Sequence, residues 1–340
     1  MPERPEQQIA SRYADGLIPF SDFMSAALYD PGFGYYTRNI RTVGKRGDFS
    51  TSATLSDALA RGIAQWLKKN MRETGIRHVI EVGGGDGSLA EGILANVGFL
   101  RRRALRSYTI VDVSDPLIAL QKERLSKFRT MRWSDSMSSA LENANGTALI
   151  FSNEAVDAFP ADVFRWCDRM KCWERLSICF ENVAEESFQT VDQDSLAPSS
   201  VFEHNWPDGQ RVEVQSSYRD WQREWSDKLT KGRILTIDYG DTCPEIYYRR
   251  PNGSLRAYFH QTMLEGTTAI AQNPGKQDIT ADVNFTDIQN WGNEIGMKTV
   301  SLQSQGEFLK CQGISEDRYT RGFGPGTAFK VLEQEKQTKP

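Results

Sequence analysis

The chain alternates between short, almost continuous apolar runs and segments in which apolar residues recur at helical spacing. The runs predict strands at 77–83, 108–113, 147–153 and 233–240, and the periodic segments predict helices at 53–70, 87–97 and 115–128. Continuous apolar strands are typical of parallel sheets that are covered on both faces. The alternation therefore predicts an α/β fold with an open, doubly wound, mostly parallel sheet that binds ligands at the carboxyl ends of its strands.

The alternation stops between Pro160 and Lys231, and this stretch holds five of the eight tryptophans. Tyr218, Trp221 and Trp225 have helical spacing, which predicts one helix face packed on the sheet in preference to an aromatic binding site. A long insertion between two sheet strands is nevertheless a common place for substrate specificity. After the insertion, the segments MKTVSLQSQGEFLKCQGI and GTAFKVLEQ predict two more strands around a short helix.

Composition narrows the classes of function. Of the 340 residues, 39% are hydrophobic and 25% are charged, with a net charge of −4, and we find no basic block, so we expect no nucleic-acid partner. Apolar runs are too short to span a bilayer, so we expect no membrane partner. Five cysteines without CxxC spacing and only three histidines argue against a metal site and for reduced thiols. With the acidic, apolar-poor first residues, these features predict a cytoplasmic protein.

The segment VIEVGGGDGSLAEGIL (79–94) predicts a strand, a glycine-rich turn and a helix. A dinucleotide loop, G-x-G-x-x-G, would need a third glycine where Ser88 stands, and a Walker loop would need a lysine that this segment lacks. Both of those loops direct backbone N–H groups at phosphate. Glu81 and Asp86 would repel a phosphate, so the ligand of this loop is expected to be cationic.

The spacing that fits is E-x-G-x-G-x-G, formed by Glu81, Gly83, Gly85 and Gly87. S-adenosylmethionine carries an ammonium and a sulfonium, and glycines would let the backbone approach its amino-acid part closely. Asp112 closes the next predicted strand, where a carboxylate can accept both ribose hydroxyls. The alternative is that the two acids are solvated strand ends and the glycines form a plain tight turn.

Several further blocks resemble the MidA-like methyltransferases, a family that includes the mitochondrial complex I assembly factor described as a protein-arginine methyltransferase. The similar blocks cover almost the whole chain in the family's order: LYDPGFGYYT (28–37), GDFSTS (47–52), NEAVDAFP (153–160), IDYG (237–240), GSLRAY (253–258), GKQDITADVNF (275–285) and QGEFL (305–309). The resemblance implies a Rossmann-like class I methyltransferase sheet with S-adenosylmethionine as cofactor. It also implies an N-terminal lid segment and an inserted acceptor-binding region.

The resemblance also suggests roles for individual residues. Gly47, Asp48 and Thr51 would lie near the amino-acid part of the donor, and Tyr35 and Tyr36 would belong to a lid over it, or merely to a packed hairpin. Three residues at the end of the third predicted strand or just after it would act on the methyl acceptor. Glu154 and Asp157 would be catalytic carboxylates, and Asn153 would orient the acceptor with its amide. The alternatives for these three are a solvated turn acid, a helix cap and a turn cap.

Two departures from the family pattern concern the acceptor. Thr51 and Ser52 are followed by Ala53 where the family has Pro-Glu, and Gln261 stands where the family has histidine, with His260 one residue early. His260 is a candidate base or a structural residue, and Arg256 with Asp278 is an internal ion pair or part of the acceptor site.

Three hypotheses follow, and the first is favoured: a methyltransferase for arginine of a partner protein, a small-molecule O- or N-methyltransferase, or a binding protein without catalysis. A homodimer is left open. The predicted division is a lid at 1–52, the core at 53–160 and 231–335, and an acceptor-side insertion at 161–230.

Overall fold

The computed structural model describes residues 4–40, 57–180, 184–259, 262–314 and 325–337. Contacts divide the chain into two compact units, which we call the core unit and the accessory unit. The core unit comprises the described residues within 41–156, 221–240 and 288–340, and the accessory unit comprises those within 1–40, 157–220 and 241–287. None of the helices in the described residues has the length and apolarity of a membrane-crossing segment.

The core unit contains a twisted sheet with the strand order β15-β16-β10-β5-β2-β3-β4. Strands β10, β5, β2, β3 and β4 are parallel, and β16 runs antiparallel to both β10 and β15. The strands are β2 (His78–Val82), β3 (Ser107–Val111), β4 (Met131–Ser134), β5 (Thr147–Asn153), β10 (Lys231–Asp241), β15 (Met297–Ser304) and β16 (Phe329–Lys336). The predicted doubly wound, mostly parallel, Rossmann-like sheet is confirmed.

Helices cover this sheet because their apolar positions repeat at helical spacing. Leu59, Ile63 and Leu67 are buried in a hydrophobic cluster with residues of β2, β5 and β10. A second cluster on this sheet contains Trp225 and Ile150, with Trp221 packed against it. Two residues of the predicted aromatic helix face therefore pack on the sheet, whereas Tyr218 packs edge-on against Phe159 in the accessory unit. The helices are α3 (Ala58–Thr74), α4 (Ser88–Asn96), α5 (Phe99–Ala104), α6 (Asp115–Leu125), α7 (Met137–Asn143), α8 (Ser216–Ser226), α10 (Phe285–Glu294), α11 (Gln305–Cys311) and α12 (Pro325–Ala328).

The accessory unit is built from antiparallel strands and short helices. One sheet pairs β7 with β1, β6 and β8, and β6 with β9, and a second has the order β12-β11-β13. Its strands are β1 (Ile18–Pro19), β6 (Asp162–Cys167), β7 (Cys172–Phe180), β8 (Ala184–Thr190), β9 (Arg211–Val214), β11 (Arg256–Phe259), β12 (Thr262–Glu265), β13 (Asp278–Thr280) and β14 (Val283–Asn284). Its helices are α1 (Pro5–Ala10), α2 (Phe20–Tyr29) and α9 (Thr267–Ala271), with a π-helical turn at Tyr35–Asn39 and 3₁₀ turns at Gln193–Ser195, Ser200–Glu203 and Glu245–Tyr247.

The predicted division, with 231–335 in the core as one piece, stays a prediction about functional domains, whereas contacts place 241–287 with the accessory unit. Residues 241–287 belong to the accessory unit because buried carboxylates tie them to the 161–230 insertion. Glu213 accepts hydrogen bonds from Ser254 N–H and Oγ, both at 2.9 Å, and Asp287 accepts from Ser199 and Ser200. Such long-range polar contacts leave no periodic pattern in the sequence. The lid role of 1–52 stays a prediction.

Candidate functional site

The strand order changes direction between β2 and β5, and the turns that follow these two strands lie at this point. From β2 the chain proceeds outward to β3 and β4, and then returns to β5 and β10 on the other side of β2. In doubly wound sheets ligands bind at this switch point, beyond the carboxyl ends of the strands. The glycine loop follows β2 and the Asn153–Glu154 segment follows β5. The fold therefore brings the predicted donor loop and part of the predicted acceptor site to adjacent strand ends.

The glycine loop has a backbone that other residues rarely adopt. Gly83, Gly85 and Gly87 have φ angles of 71°, 51° and 81°, all in the left-handed region. A Cβ built on Gly85 would meet no atom within 4 Å among the described residues beyond its chain neighbours, so this glycine borders open space there. A Cβ on Gly83 would lie 3.1 Å from the Ala155 Cβ. Gly85 thus provides room for a ligand, and Gly83 permits close packing of the β5 turn on the loop.

Asp86 closes this loop to phosphate. Its Oδ1 accepts a hydrogen bond from the Ser88 N–H, 3.0 Å away, at the first turn of α4, and its Oδ2 pairs with Arg124 at 2.7 Å. The N–H group that would otherwise receive a phosphate oxygen is therefore already bonded to a carboxylate. A ligand at this loop must bind without a phosphate, as predicted from the sequence.

Asp112 is buried at the end of β3 and is bonded back to the loop. Its Oδ2 accepts from Gly84 N–H at 3.2 Å and from Gln121 Nε2 at 2.8 Å, and its Oδ1 accepts from Ser114 N–H at 3.0 Å. Burial raises the pKa of Asp112, and these donors oppose that increase. These bonds brace the glycine loop on Asp112, and the contact of Asp112 with a ribose hydroxyl stays a prediction.

Gln121 is a site residue that sequence reasoning missed. From α6 its Nε2 donates to the carbonyl oxygen of Gly85 at 2.8 Å as well as to Asp112, and its Oε1 accepts from the Trp133 indole N–H at 3.0 Å. The side chain is fully buried. Gln121 thus fixes the glycine loop relative to Asp112. A fully buried glutamine is uncommon, but its burial is not visible in the helical pattern of 115–128.

Glu81 lies in the interior and does not form a solvated strand end. Its carboxylate accepts a hydrogen bond from the Tyr108 hydroxyl at 2.8 Å, and Tyr108 belongs to the hydrophobic cluster around α3 and α4. Burial raises the pKa of Glu81 to about 8, partly opposed by the Tyr108 hydrogen bond. At neutral pH the carboxyl is therefore largely protonated. The contact of Glu81 with a cationic donor stays a prediction.

The buried Glu81 predicts an unusual pH dependence of stability. Its pKa of about 8 exceeds the ordinary value of 4.5, so the folded chain binds more protons than the unfolded chain between these values. The stability contributed by the protonated carboxyl is present below pH 4.5 and is lost as pH rises towards 8. Denaturant unfolding from pH 5 to 8.5 should show Glu81→Gln losing less stability with rising pH than the parent, by up to about 1.4 kcal/mol per pH unit.

The exposed Glu123→Gln on α6 is the matched control and should follow the parent curve. If the Glu81→Gln and parent curves run parallel over this range, Glu81 does not carry a raised pKa.

The turn after β5 holds Glu154 in a strained backbone. Glu154 has a φ of 50°, in the left-handed region that residues other than glycine adopt at a cost. Its N–H donates to the carbonyl oxygen of Ile237 at 3.0 Å. Asp238 Oδ2 accepts from the N–H groups of Ala155 and Val156, at 3.2 and 2.9 Å. Asp238 is fully buried, and it explains why an acid occurs in the IDYG block.

Asn153 and Glu154 form an acceptor-rich pair. Asn153 Nδ2 donates to Glu154 Oε1 at 3.1 Å, so the amide is oriented by the carboxylate. Asn153 is 8% exposed, and among the described residues no donor reaches its Oδ1. A buried carbonyl oxygen without a donor is costly unless a ligand supplies one. This end of β5 therefore offers a buried oxygen and a neighbouring carboxylate to a ligand rich in N–H donors.

Asp157 belongs to the accessory unit, where acidic and aromatic side chains cluster. Asp157 is 3% exposed. Burial is the main cause that raises the pKa of Tyr36 well above 10, the charge of Asp278 comes next, and the charge of Asp157 adds to the increase. The Tyr36 hydroxyl donates to Asp278 at 2.6 Å, and its ring stacks on Tyr29 at 5.6 Å. Burial raises the pKa of Asp278 to about 6, opposed by Tyr36 and by the charge of Arg256.

The remaining predicted residues have separate outcomes. Arg256 forms an ion pair with Asp282, which Arg250 also contacts, and the charge of Arg256 lowers the pKa of Asp278. Tyr35 is buried and packs edge-on against Tyr36 at 5.1 Å. Five predicted residues lie outside the described residues: Gly47, Asp48, Thr51, His260 and Gln261.

These features fit S-adenosylmethionine better than a phosphate-bearing ligand. The loop is open at Gly85, its helix end is occupied by Asp86, and a buried acid braced by Gln121 stands at the next strand end. The glycine loop would receive the amino-acid part of the donor, and Asp112 would receive its ribose.

Comparison with known proteins agrees with this fit. The model of a family of S-adenosyl-L-methionine-dependent methyltransferases matches residues 58–303, most of the chain. A structure from Burkholderia thailandensis with bound S-adenosyl-homocysteine superposes with a TM-score of 0.80 at 25% identity, covering 99% of this chain and 94% of that one. A second structure from the same organism gives 0.79 at 24% identity, covering 99% of this chain and 93% of that one.

Curated relatives carry a more specific name. The protein arginine methyltransferase NDUFAF7 homolog of Drosophila melanogaster is 25% identical over 312 residues, which are 82% of this chain and 68% of that protein. The Danio rerio protein arginine methyltransferase NDUFAF7 is 24% identical over 329 residues, 88% and 74% of the two chains. Both are mitochondrial proteins, as is the Caenorhabditis elegans relative.

These relatives overturn the prediction of a cytoplasmic location, which is wrong on this comparison. That prediction rested on reduced thiols and on the composition of the first residues, and neither property identifies a compartment. The five cysteines are indeed free.

The role of Asp112 can be tested through donor affinity. Asp112→Asn removes the charge but keeps the volume and one acceptor oxygen, so the loop contacts from Gly84 and Ser114 survive in part. We expect the affinity for S-adenosylmethionine to fall at least about tenfold, because a hydrogen bond to a charged group contributes about 1.5–3 kcal/mol. Calorimetric titration measures this, with thermal unfolding as the check on folding. Unchanged affinity in the folded variant would exclude Asp112 as the ribose acceptor.

Proposed function

Because this chain belongs to the S-adenosyl-L-methionine-dependent methyltransferase family, we propose that it methylates a guanidinium nitrogen of arginine in a partner protein. Transfer from S-adenosylmethionine is the activity of the family, and the arginine acceptor is the proposal. When bound, the donor supplies a methyl group activated by a neutral thioether leaving group. The chain must hold an acceptor nitrogen in line with that bond at about 3 Å and exclude water.

The observation that carries the proposal is the pair of Asn153 and Glu154 after β5. A guanidinium has five N–H donors and no acceptor, and it keeps its charge in proteins. Glu154 presents a carboxylate beside the buried Oδ1 of Asn153, for which the described residues provide no donor. Both atoms accept hydrogen bonds, as a guanidinium requires. Glu154 would orient and polarise the acceptor, and Asn153 would fix its plane.

The strained backbone supports a functional role for Glu154. A left-handed glutamate costs about 1–2 kcal/mol relative to a right-handed one, and glycine would avoid this cost. The Ile237 carbonyl and the Asp238 carboxylate hold the turn in this conformation. Strain that the surroundings enforce at a ligand site is typical of pre-organised functional residues.

Asp157 lies in the accessory unit, and we propose it as a further carboxylate with a role in the reaction. In the accessory unit its charge acts on Tyr36, whose hydroxyl is bonded to Asp278. A guanidinium bound to Asp157 would offset the cost of burying Asp157 and Asp278 in the same cluster. The names of the curated relatives, which are protein arginine methyltransferases, support the same acceptor class.

An aromatic binding surface in the tryptophan-rich insertion would favour the small-molecule alternative. The tryptophans of the insertion, which could have formed an aromatic binding surface, pack on other rings or on main-chain atoms. Trp166 contacts Trp173 at 5.4 Å, and the Trp206 indole donates to the Val201 carbonyl at 2.7 Å. Trp173 is buried, and Trp166 and Trp206 are half-buried by these contacts.

Incubation of the full chain with methyl-labelled S-adenosylmethionine tests the acceptor class. One reaction receives a protein fraction freed of metabolites, and the other receives a metabolite extract freed of protein. We expect the label in the protein fraction, dependent on Glu154. Label confined to small molecules would refute the proposed acceptor while leaving the methyltransferase activity intact.

A further inference from the structure

Helix α5 presents two large apolar side chains to solvent at the surface of the core unit. Phe99 is 60% exposed and Leu100 is 81% exposed. Three consecutive arginines follow, Arg101 to Arg103, and the guanidinium groups of Arg102 and Arg103 lie 5.9 and 5.4 Å from the Phe99 ring centre. The exposed apolar tip is therefore bordered by cations.

A cavity of about 800 Å³ lies next to this helix and is lined by further cations. Arg102, Arg103, Lys127 and Arg129 line it, and the acid in its wall is Glu91. Lys127 pairs with Glu91 at 2.5 Å, and Arg124 also reaches this carboxylate. We call the surface formed by residues 99–103, Lys127 and Arg129 the arginine patch.

The arginine patch has more positive charge than its own acids balance. In the described part of the chain, Arg101, Arg103 and Arg129 have no carboxylate partner and are exposed. Burial and the nearby charge of Arg101 lower the pKa of Lys68. The whole chain has a net charge of −4, so this local excess is opposite in sign to the molecule. The expectation of no basic block overlooked the short run RRRALR at 101–106, and the fold adds Lys127 and Arg129 to it.

We propose that the arginine patch binds the surface of an anionic phospholipid membrane. Phe99 and Leu100 would enter the interfacial layer, and the arginines would bind lipid phosphates through their planar N–H groups. The negative surface potential of an anionic leaflet attracts basic residues, and each such residue raises the partition coefficient of the protein onto the membrane by about fivefold. The expectation of no membrane partner considered only spanning segments, and interfacial binding does not require one.

The shape of the patch favours lipid over the other polyanions. A protein interface usually has an apolar centre surrounded by a polar rim, whereas here two adjacent apolar side chains project from the surface. Nucleic acids use aromatic side chains for stacking and arginines for phosphates, but Leu100, the more exposed of the two, has no role there. An interfacial anchor uses both an aliphatic and an aromatic side chain beside cations.

Vesicle co-sedimentation of the full chain tests the proposal. One set of vesicles is phosphatidylcholine alone, and the other contains about a third phosphatidylglycerol, an anionic lipid. We expect binding only to the anionic vesicles, weakened by salt because the attraction is screened. Arg101→Ala with Arg103→Ala should reduce partitioning by about thirtyfold. Phe99→Ser with Leu100→Ser should reduce it by at least about tenfold, because the apolar insertion is lost while the arginines still attract the leaflet.

Tyr248→Ser with Arg249→Ala is the matched control, because it removes an equally exposed aromatic side chain and its neighbouring arginine elsewhere. It should bind as the parent does, and all variants should retain affinity for S-adenosylmethionine, which shows that they are folded. The same protein is titrated with a poly-glutamate peptide and with an RNA oligonucleotide. Equal binding to neutral vesicles, insensitivity to the patch variants, or patch-dependent binding to peptide or RNA without vesicle binding would overturn the proposal.

Discussion

Glu154→Gln is expected to reduce methyl transfer to a protein acceptor by on the order of a hundredfold, with donor affinity changed by no more than about twofold. The amide keeps the side-chain volume and the left-handed backbone but leaves a buried guanidinium facing a neutral group. The loss should appear in kcat as well as in KM, because the carboxylate polarises the acceptor during transfer. Steady-state kinetics with a methyl-accepting protein fraction measure both parameters.

The exposed Glu123→Gln on α6 serves as the control and should leave both parameters unchanged. A second pair of variants separates strain from chemistry. Glu154 and Lys171 both have left-handed backbones, with φ of 50° and 51°. Replacement of either by glycine should raise the free energy of unfolding by about 1 kcal/mol, but only Glu154→Gly should abolish transfer. Full activity of Glu154→Gln and Glu154→Gly would remove Glu154 from the acceptor site.

Gly85→Leu is expected to weaken S-adenosylmethionine binding by more than about a hundredfold, or about 2.8 kcal/mol at 1.4 kcal/mol per tenfold. Beyond the two chain neighbours, the described part of the chain places no atom within 4 Å of a Cβ at this position, so the side chain would enter the space that the donor needs. The left-handed φ of 51° adds backbone strain to this steric effect.

Gly75→Leu is the matched control because Gly75 ends α3 with a φ of 76° and also has no atom within 4 Å of its Cβ. Both variants should lose similar stability from the backbone strain, about 1–2 kcal/mol. Donor affinity should fall only for Gly85→Leu. If both variants bind the donor normally by calorimetry, the glycine loop does not hold it.

Local patterns in the sequence predicted the sheet well. The strand at Thr147–Asn153 has the predicted bounds, and the strand at Lys231–Asp241 extends the predicted one by a few residues at its ends. Such runs are recognisable because a strand covered on both faces is apolar throughout. The positive φ angles of Gly83, Gly85 and Gly87 likewise agree with the predicted glycine turn.

The polar framework of the site could not be predicted in the same way. Gln121, Tyr108 and Asp238 bond to residues that are distant in sequence, and their partners are determined by packing between helices and strands. Glu81 is at the end of a strand, where the sequence allows a solvated or a ligand-facing acid, and the fold buries its side chain against Tyr108. Successive side chains of a strand alternate between the two faces of the sheet. A strand that is apolar on both faces has no polar face, so its sequence does not indicate the face on which the side chain of Glu81 lies.

The accessory unit was the least predictable part for a related reason. Its strands are short and polar on one side, and the segment 241–287 joins it through buried acids such as Glu213 and Asp287. These contacts connect three separate stretches of the chain. No local pattern indicates which stretches come together.

Chemical analysis of the methylated product tests the central claim most directly. Protein labelled by the enzyme with methyl-labelled S-adenosylmethionine is hydrolysed in acid and its amino acids are separated, and a second sample is treated with mild alkali. Transfer to arginine predicts label in methylarginine that withstands alkali and is absent with Glu154→Gln. Release of the label as methanol by alkali, or its recovery only in small molecules, would show an oxygen or small-molecule acceptor and would contradict the account.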